Sequence, residues 1–594
     1  MNNQAPTLSI ISDGLDFFYD AISFSRLESL ILTPLSGDQL ERAQTVINLW
    51  RASRISKNNY AREFAGDLPD RYVLVTDAAL NVASDLSDIA SLNNMLLAAL
   101  DENPDCIVVL FVQGKALNKY NSAYFDQKII KDNPRVQLLV QDVHPVRLIE
   151  TAEAIYTVTS YIGFEGLLWG KSVRTFGTSF YSGWGLTEDQ NESSTVGKSI
   201  ILKTLVYAIL IEYYSFIDPE TKAYCEVERL LEWIGLQRRM RERFPACIYA
   251  LGFSFHKKPV VRDYFQGSEV RFCNNSAEIP EHATVAYWSR KYETDVIHSK
   301  GCNIIRIEDG FIRSIGLGAD LIRPISWVMD RQGIYFDATQ SSDLENLLLT
   351  SDFNESLLHR AQFIRKQLVT HALTKYNVGS ASWQLPETLS SNNLTEASQK
   401  KRLILVPGQV ESDASISYGA SGIKRNLDLL KAVRDANPDA YVIYKPHPDV
   451  VAGLRYSGQD EDNAENCCDE VVIDVTMGEL LPQIDEVHTI TSLTGFEALL
   501  RGKKVVCYGQ PFYSGWGLTE DIIPASRRVR NLSFDELVAG VMILYPAYVS
   551  RSTGKFTTPE RALEELLIWR DQKSNSLSIW QKILRKYLQW TKSS

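Results

Sequence analysis

Residues 180–189 read FYSGWGLTED, and the same ten letters return unchanged at residues 512–521. A second block repeats upstream, because SYIGFEGLLWGK at 160–171 matches SLTGFEALLRGK at 492–503. Both pairs of blocks are 332 positions apart, so they belong to one long repeat rather than to two coincidences. The chain of 594 residues is therefore predicted to contain two copies of one module.

The two copies differ in extent. LSIISDGLDFFYDA at 8–21 resembles ISWVMDRQGIYFDA at 325–338, at an offset of 317 positions. The start of the chain therefore corresponds to about residue 318 of the second copy, and the first copy is expected to be truncated.

The second copy alternates short β-branched or aromatic runs with polar or helical stretches, a pattern typical of parallel strands joined by helices. It predicts an α/β fold with two Rossmann-like lobes and a cleft between them, which is a GT-B-like arrangement. The first copy retains mostly the second lobe. The predicted strands are 247–251, 284–288 and 303–307 in one lobe, and 403–406, 441–444, 471–475, 487–490 and 504–508 in the other.

The predicted division of the chain has four parts. Residues 1–240 form a degenerate partial module, 245–395 the N-lobe and 400–572 the C-lobe of the complete module, with a linker at 390–401. Residues 575–594 form a basic amphipathic helix, which suits either an anionic membrane surface or docking on the protein. Its apolar face carries Leu577, Trp580, Ile583, Leu584, Tyr587 and Leu588, and its polar face Lys582, Arg585 and Lys586.

Composition excludes several classes of protein. The net charge of -11 argues against general binding of nucleic acids. The eight cysteines show no CxxC pair and no metal-ligand spacing, so we expect free thiols in a reducing cytoplasm and no metal site. The N-terminus lacks the features of a signal peptide. The longest apolar run, at 200–217, contains charged residues, so it predicts an internal helix rather than a membrane span.

Two acidic segments follow predicted strands of the second copy. RIEDGFIRS at 306–314 places Glu308 and Asp309 at the carboxyl end of a strand, where α/β folds bind ligands. The alternative is a surface turn in which Asp309 caps a helix. QVESDAS at 409–415, which contains Asp413, is on composition alone as consistent with a solvated loop as with a site.

Two further segments carry groups suited to a phosphate. Lys445 and His447 lie in KPHPD at 445–449, where prolines on both sides of the histidine give a rigid loop. TSLTGFE at 491–497 opens a helix whose free N–H groups favour an anion, with Glu497 available to a ribose diol. An ordinary capped helix explains the second segment equally well.

The four segments together resemble the capsule polysaccharide synthesis family typified by the KpsC proteins of Gram-negative bacteria. Members of that family are tandem-module β-Kdo transferases, which use CMP-Kdo to build a short oligo-Kdo linker on a lipid. The order of motifs is also similar to that of bacterial GT-B sialyltransferases, which use CMP-sugars too. The matching stretches are 306–318, 409–419, 445–449 and 492–521, and the resemblance covers most of 245–570.

The resemblance implies roles for individual residues. It implies retention of configuration by double displacement, with Asp413 as nucleophile and Glu308 as acid/base, backed by Asp309. The N-lobe lies on the acceptor side and the C-lobe binds the CMP-sugar, with no metal or other cofactor expected. The implied CMP-binding residues are Lys445, His447, Pro448, Ser492, Thr494, Gly495 and Glu497, and the implied sugar-binding residues are Arg313, Ser314, Gln409 and Ser415, with Arg313 on the sugar carboxylate.

The first copy keeps the repeated blocks but lacks some of the residues to which the resemblance assigns catalysis and CMP binding. FVQGK at 111–115 replaces KPHPD, and AALNVAS at 78–84 replaces QVESDAS, so the histidine and the aspartate are missing. Glu165 nevertheless has the same local setting as Glu497. We therefore expect one catalytic module, the second.

These inferences predict a cytoplasmic Kdo transferase of capsule or surface polysaccharide synthesis, peripheral on the inner face of the inner membrane. Its partners would be a nucleotide-sugar donor, a lipid-linked saccharide acceptor, the membrane surface through residues 577–590, and other capsule synthesis or export proteins, but not nucleic acid. Two alternatives remain at this point. One is a CMP-sialic-acid-type transferase, and the other is a non-catalytic factor that recruits other transferases.

Overall fold

The protein divides into two compact units, Met1–Arg243 and Phe244–Ser594. The tail predicted as a helix at 575–594, and the predicted linker at 390–401 apart from its last residue, lie outside the described residues. All eight cysteines are free thiols. None of the helices within the described ranges is long and apolar enough to cross a bilayer. The computed structural model describes residues 8–11, 26–57, 59–76, 86–112, 125–190, 198–290, 295–314, 323–375, 383–386 and 401–572.

The first unit contains a parallel six-stranded sheet and a small antiparallel sheet. Their strand orders are β4-β3-β2-β5-β6-β7 and β1-β8-β9. The strands are β1 (Ser9–Ile11), β2 (Tyr72–Thr76), β3 (Ile107–Val112), β4 (Val136–Val140), β5 (Ala154–Thr157), β6 (Ser172–Thr175), β7 (Glu188–Asp189), β8 (Tyr214–Ile217) and β9 (Tyr224–Cys225). The helices are α1 (Arg26–Ile31), α2 (Gly37–Ala52), α3 (Leu86–Glu102), α4 (Gln127–Asp132), α5 (Val146–Thr151), α6 (Tyr161–Leu168), α7 (Leu202–Val206), which a π-helix continues (Tyr207–Tyr213), and α8 (Val227–Glu242).

The second unit contains two sheets, as the sequence predicts. Their orders are β11-β10-β12-β13-β14-β21-β22 and β17-β16-β15-β18-β19-β20. The strands are β10 (Cys247–Leu251), β11 (Glu269–Cys273), β12 (Thr284–Trp288), β13 (Asn303–Asp309), β14 (Ser326–Asp330), β15 (Leu403–Pro407), β16 (Tyr441–Lys445), β17 (Glu470–Val471), β18 (Glu486–Thr489), β19 (Lys504–Cys507), β20 (Glu520–Asp521), β21 (Ala547–Val549) and β22 (Phe556–Thr557). The helices are α9 (Lys258–Tyr264), α10 (Asp295–Ser299), α11 (Asp343–Thr350), α12 (Glu355–Thr370), α13 (Ala414–Gly419), α14 (Asn426–Ala436), α15 (Pro448–Val451), α16 (Met477–Leu480), α17 (Leu493–Leu500), α18 (Phe534–Val538), followed by a π-helix (Ala539–Leu544), and α19 (Pro559–Gln572).

The two units repeat each other in three dimensions. The six-stranded sheets have the same order and direction of strands. The small sheet of the first unit matches the end of the seven-stranded sheet, because Ser9 pairs with Phe216 as Ser326 pairs with Tyr548. The described part of the first unit holds no counterpart of β10–β13. The predicted GT-B-like module and its partial copy are therefore both present.

The tyrosine of the repeated FYSGWGLTED block forms the same internal hydrogen bond in both units. Tyr181 and Tyr513 are fully buried, and their hydroxyls donate to the carbonyl oxygens of Ser160 at 2.6 Å and Ser492 at 2.5 Å. Each bond holds the start of the helix that carries Glu165 or Glu497. The identity of the block in both units thus reflects a shared packing requirement.

The C-lobe ends earlier than predicted. Strands β21 and β22 add to the seven-stranded sheet next to β14 instead of staying with the C-lobe sheet. They cover the edge of β14, whose unpaired backbone groups would otherwise need another partner. Helix α19 follows them and packs on α12 and β21. The chain after about residue 545 therefore returns to the N-lobe, which differs from the predicted C-lobe range of 400–572.

Candidate active site

A cavity of about 1210 Å³ opens within the second unit, between its two sheets. Its walls are loops that follow β13 on one side and β15, β16 and β18 on the other, at the carboxyl ends of parallel strands, where α/β folds bind ligands. All of the predicted site residues line this cavity except Ser314 and Gly495.

The adjacent carboxylates at the end of β13 have different environments. Glu308 accepts the backbone N–H of Asp309 at 3.0 Å. Burial and the neighbouring Asp309 charge raise the pKa of Glu308 to about 7, against an opposing effect of Lys375. Asp309 instead forms an ion pair with Arg313 at 2.6 Å. Glu308 is therefore the carboxyl group of this pair that changes protonation near neutral pH, as an acid/base requires.

Arg313 lines the cavity, whereas Ser314 does not. The Arg313 guanidinium is 6% exposed, binds Asp309, and donates to the Ser314 hydroxyl at 2.9 Å. Ser314 is fully buried behind the cavity wall. Burying a guanidinium requires a carboxylate partner, and the local sequence supplies Asp309 four residues earlier. The geometry thus gives Arg313 a role in orienting Asp309.

Asp413 lies on the C-lobe wall, exposed to the cavity at the start of α13. Its carboxylate accepts the backbone N–H of Ser415 at 3.1 Å, so it is the N-cap of this helix. This hydrogen bond uses one carboxylate oxygen of Asp413 and orients the side chain. An aspartate so placed can serve as a nucleophile toward a sugar bound between the lobes.

Gln409 connects two walls of the C-lobe. Its side-chain oxygen accepts the backbone N–H of Thr491 at 2.9 Å, and its side-chain nitrogen donates to the Thr491 hydroxyl at 3.0 Å. Its backbone N–H donates to Asn426 at 2.9 Å. These bonds tie the loop after β15 to the loop after β18, so Gln409 positions the loop that carries Asp413.

Lys445 and His447 follow β16 with defined hydrogen bonds. The Lys445 ammonium donates to the carbonyl oxygen of Ile473 at 3.1 Å, and burial lowers its pKa. Nδ1 of His447 accepts the backbone N–H of Asp449 at 3.1 Å, which leaves Nε2 as the protonated nitrogen of the neutral ring. Burial lowers the pKa of His447, while the Asp449 and Asp413 charges oppose this.

The start of α17 combines a hydroxyl cap with a buried carboxyl group. Ser492 caps the helix, and its hydroxyl accepts the backbone N–H of Thr494 at 3.2 Å. Glu497 accepts the backbone N–H of Lys375 at 2.8 Å, and burial raises its pKa to about 7. Gly495 lies away from the cavity, because a Cβ atom there would come within 2.2 Å of the Tyr513 hydroxyl. Packing against Tyr513 therefore accounts for a glycine at this position.

Sequence reasoning missed several cavity residues, of which Lys375 is the clearest. Lys375 follows a helix rather than a strand, so no pattern at a strand end pointed to it. A signal existed in the repeat, because ISKNN at 55–59 aligns with LTKYN at 373–377. Lys257 and Trp288 were also missed on the N-lobe wall, where the ammonium lies 3.1 Å from the ring centroid.

The first unit keeps the buried glutamate and its backbone partner. Glu165 accepts the Ser56 hydroxyl at 2.9 Å and the Lys57 backbone N–H at 2.7 Å, and burial raises its pKa to about 7. Its other oxygen is buried and meets no hydrogen-bond partner in the described part of the chain. The replacement segments at 78–84 and, beyond Val112, at 113–115 lie outside the described residues.

The fold and cleft define a tandem α/β protein with one GT-B-like module and a partial copy of it. A family model described as capsule polysaccharide biosynthesis protein matches residues 44–214 and 287–556. The capsule polysaccharide modification protein LipA of Neisseria meningitidis serogroup A is 35% identical over 98% of this chain and 85% of its own length. The chain belongs to the capsule polysaccharide biosynthesis family.

Two solved structures from Thermosulfurimonas dismutans are also similar. One is described as KpsC, beta Kdo 2,7 transferase; it is 37% identical, covers 54% of this chain and 99% of its own, and has a TM-score of 0.43. The other is described as KpsC, beta Kdo 2,4 transferase; it is 28% identical, covers 55% and 99% of the two chains, and has a TM-score of 0.47.

Proposed function

We propose that the second module is a glycosyltransferase that moves Kdo from CMP-Kdo to a lipid-linked Kdo or saccharide acceptor, with retention of configuration. The product would enter capsule or surface polysaccharide synthesis, a role that membership in the family supports. The donor and the mechanism rest on the motifs shared with the KpsC-type transferases. The reaction would take place on the cytoplasmic face of the inner membrane, where a lipid-linked acceptor would be reached.

The observation that carries the proposal is that two carboxyl groups, one from each lobe, line the same cavity. Glu308 comes from the N-lobe and has a pKa near 7, whereas Asp413 comes from the C-lobe and is exposed to the same space. Double displacement needs two carboxyl groups, one that acts as acid/base and one that acts as nucleophile. A protein that only recruits other enzymes has no need of them.

The proposed chemistry has two displacements. In the first, the Asp413 carboxylate attacks the anomeric carbon, and CMP leaves with the bonding electron pair. In the second, Glu308 accepts the proton of the acceptor hydroxyl while that oxygen attacks the anomeric carbon and releases Asp413. Two inversions give net retention.

The C-lobe wall supplies groups for the CMP leaving group. Lys445 and His447 provide N–H donors, and the N-terminus of α17 adds backbone dipoles directed at an anion. Stabilising the developing phosphate charge favours departure of CMP, and the low polarity of a closed cleft strengthens that effect. Glu497, which lines the same wall, would accept a hydrogen bond from a ribose hydroxyl.

The direct test of the proposal is incubation of the whole protein with CMP-Kdo and a lipid-Kdo acceptor, followed by mass spectrometry of the lipid. One added Kdo or more is the expected result. Transfer from CMP-sialic acid in place of CMP-Kdo would identify the alternative donor. An unchanged acceptor with either donor would contradict the transferase assignment.

CMP is expected to raise the melting temperature, whereas UDP and GDP are not. A ligand that binds only the native state stabilises it, and a 100-fold excess over Kd corresponds to a shift of about 2 °C or more in a protein of this size. Thermal scans with each of the three nucleotides would measure these shifts. A separate transfer assay with and without EDTA would test whether the reaction needs a metal. Equal shifts with all three would remove the case for a CMP site, and loss of transfer in EDTA would contradict the metal-independent reaction that we propose.

The rate of transfer is expected to fall as the pH drops below about 7. Glu308 has a raised pKa of about 7, so below that pH it is protonated and unable to accept the acceptor proton. The change Glu308→Gln should lower kcat by about 100-fold or more and remove this acid limb from the pH–rate profile. A limb that persists in the variant would belong to another group, such as Glu497.

A further inference from the structure

We propose that Lys375 is a substrate-binding residue of this site, whose ammonium group contacts an anionic oxygen of the donor. This inference rests on the proposed function and adds to it a residue that none of the shared motifs contains. The anionic oxygen has two possible sources in a CMP-Kdo donor, the phosphate of CMP and the carboxylate of the sugar.

The backbone at Lys375 is fixed by the C-lobe helix α17. Its N–H donates to Glu497 at 2.8 Å. Two residues earlier, the carbonyl oxygen of Leu373 accepts from Arg501 at 3.2 Å, and the same arginine donates to the carbonyl oxygen of Glu497 at 2.9 Å. A half-buried side chain on such a braced segment is held near the start of α17 at little cost in entropy.

The side chain of Lys375 lines the cavity and acts on both of its walls. Burial raises the pKa of Glu308 on the N-lobe side and lowers that of His447 on the C-lobe side, and the Lys375 charge opposes the first shift and adds to the second. Glu308, His447 and Lys375 all line the same cavity. A ligand that spans the cavity from Glu308 to His447 would therefore meet a lining that includes Lys375.

The cavity walls carry charges of both signs, and Lys375 is one of their cations. The same walls carry several carboxyl groups, and the proposed donor brings at least one negative charge of its own. Two of the other cations already form ion pairs, Arg313 with Asp309 and Arg323 with Asp263. The remaining lysines and arginines of the lining are Lys257, Lys445 and Arg455. An ammonium between the walls would offset repulsion between the donor and the acids, and its flexible stem suits either a phosphate or a carboxylate.

The first unit offers a matched control. Lys57 occupies the equivalent position and makes the same backbone bond, to Glu165 at 2.7 Å. Its side chain is exposed, and the ammonium lies 5.2 Å from the centroid of the Tyr161 ring, where the second unit has Leu493. Changing Lys57 removes the same charge from the same backbone setting, in the unit that lacks the residues proposed for transfer.

The test compares Lys375→Met with Lys57→Met in the full chain. Methionine keeps the length of the stem and the backbone N–H but removes the charge. We expect Lys375→Met to lower kcat/KM for CMP-Kdo by about 10- to 100-fold, which is the range for loss of one charged hydrogen bond, and Lys57→Met to change it less than about twofold. Lys375→Arg should recover part of the loss, because a purely structural role would not depend on charge.

Calorimetric titration separates the two sources of the anion. If Lys375 contacts the phosphate, Lys375→Met weakens binding of CMP but not of cytidine. If it contacts the sugar carboxylate, CMP affinity is unchanged and only donor turnover falls. Equal kinetics for Lys375→Met and wild type, or a loss that comes with a lowered melting temperature in both Met and Arg variants, would overturn the inference. Inactivity of the wild-type protein toward CMP-Kdo would instead count against the proposed function.

Discussion

Replacing Asp413 by asparagine is expected to reduce sugar transfer by at least about 1,000-fold, the scale of effect seen when a nucleophile is removed. The protein should remain folded, because asparagine is as good an N-cap as aspartate and can keep the bond to the Ser415 N–H. CMP should still bind, since its proposed contacts lie on Lys445, His447 and α17. The change removes the attacking carboxylate and little else.

A trapped intermediate gives the sharper measurement of this effect. Wild-type protein incubated with CMP-Kdo but no acceptor should gain the mass of one Kdo, and peptide mapping should place it on 409–415. Asp413→Asn should show no such adduct while titrating normally with CMP. An adduct on the 306–314 peptide would reverse the roles of Asp413 and Glu308, and full activity in the variant would remove the nucleophile assignment.

Glu497→Gln is expected to weaken CMP binding by about 10-fold or more, whereas Glu165→Gln should change it less than about twofold. The two glutamates occupy equivalent helices and accept equivalent backbone N–H groups, at Lys375 and Lys57. They differ in surroundings, because Glu497 lines the cavity while the second oxygen of Glu165 is buried without a partner in the described residues. We therefore expect the change at Glu165 to leave nucleotide binding nearly unaltered.

Calorimetry also tests this asymmetry through stoichiometry. The wild-type protein should bind one CMP per chain, and Glu165→Gln should keep that value and a similar melting temperature, because glutamine resembles a protonated carboxyl group. Two equivalent CMP sites would show that the first unit retains a nucleotide site. A folded but inactive Glu165→Gln protein would show that the first unit takes part in catalysis.

The strands of the second unit were largely predictable from local patterns. Central strands such as β15 and β16 are buried on both faces, so they read as continuous apolar runs in the sequence. Strand β11 was missed because it lies at the sheet edge, where EVRFC alternates exposed and buried residues and carries charges. The return of β21 and β22 to the N-lobe sheet was missed because pairing across more than two hundred residues leaves no local trace.

The amino-acid order alone revealed the repeat, the two-lobe fold, and the acidic and basic segments of the cleft, because these depend on periodicity and on residue type. The roles of those residues depend on burial and on partners that are distant in the chain. Enclosure gives Glu308 a pKa near 7, while Arg313 holds Asp309 in an ion pair. Folding also brings Lys375 against Glu497, 122 positions away. Desolvation and ion pairing act through space, and so only the folded chain assigns them.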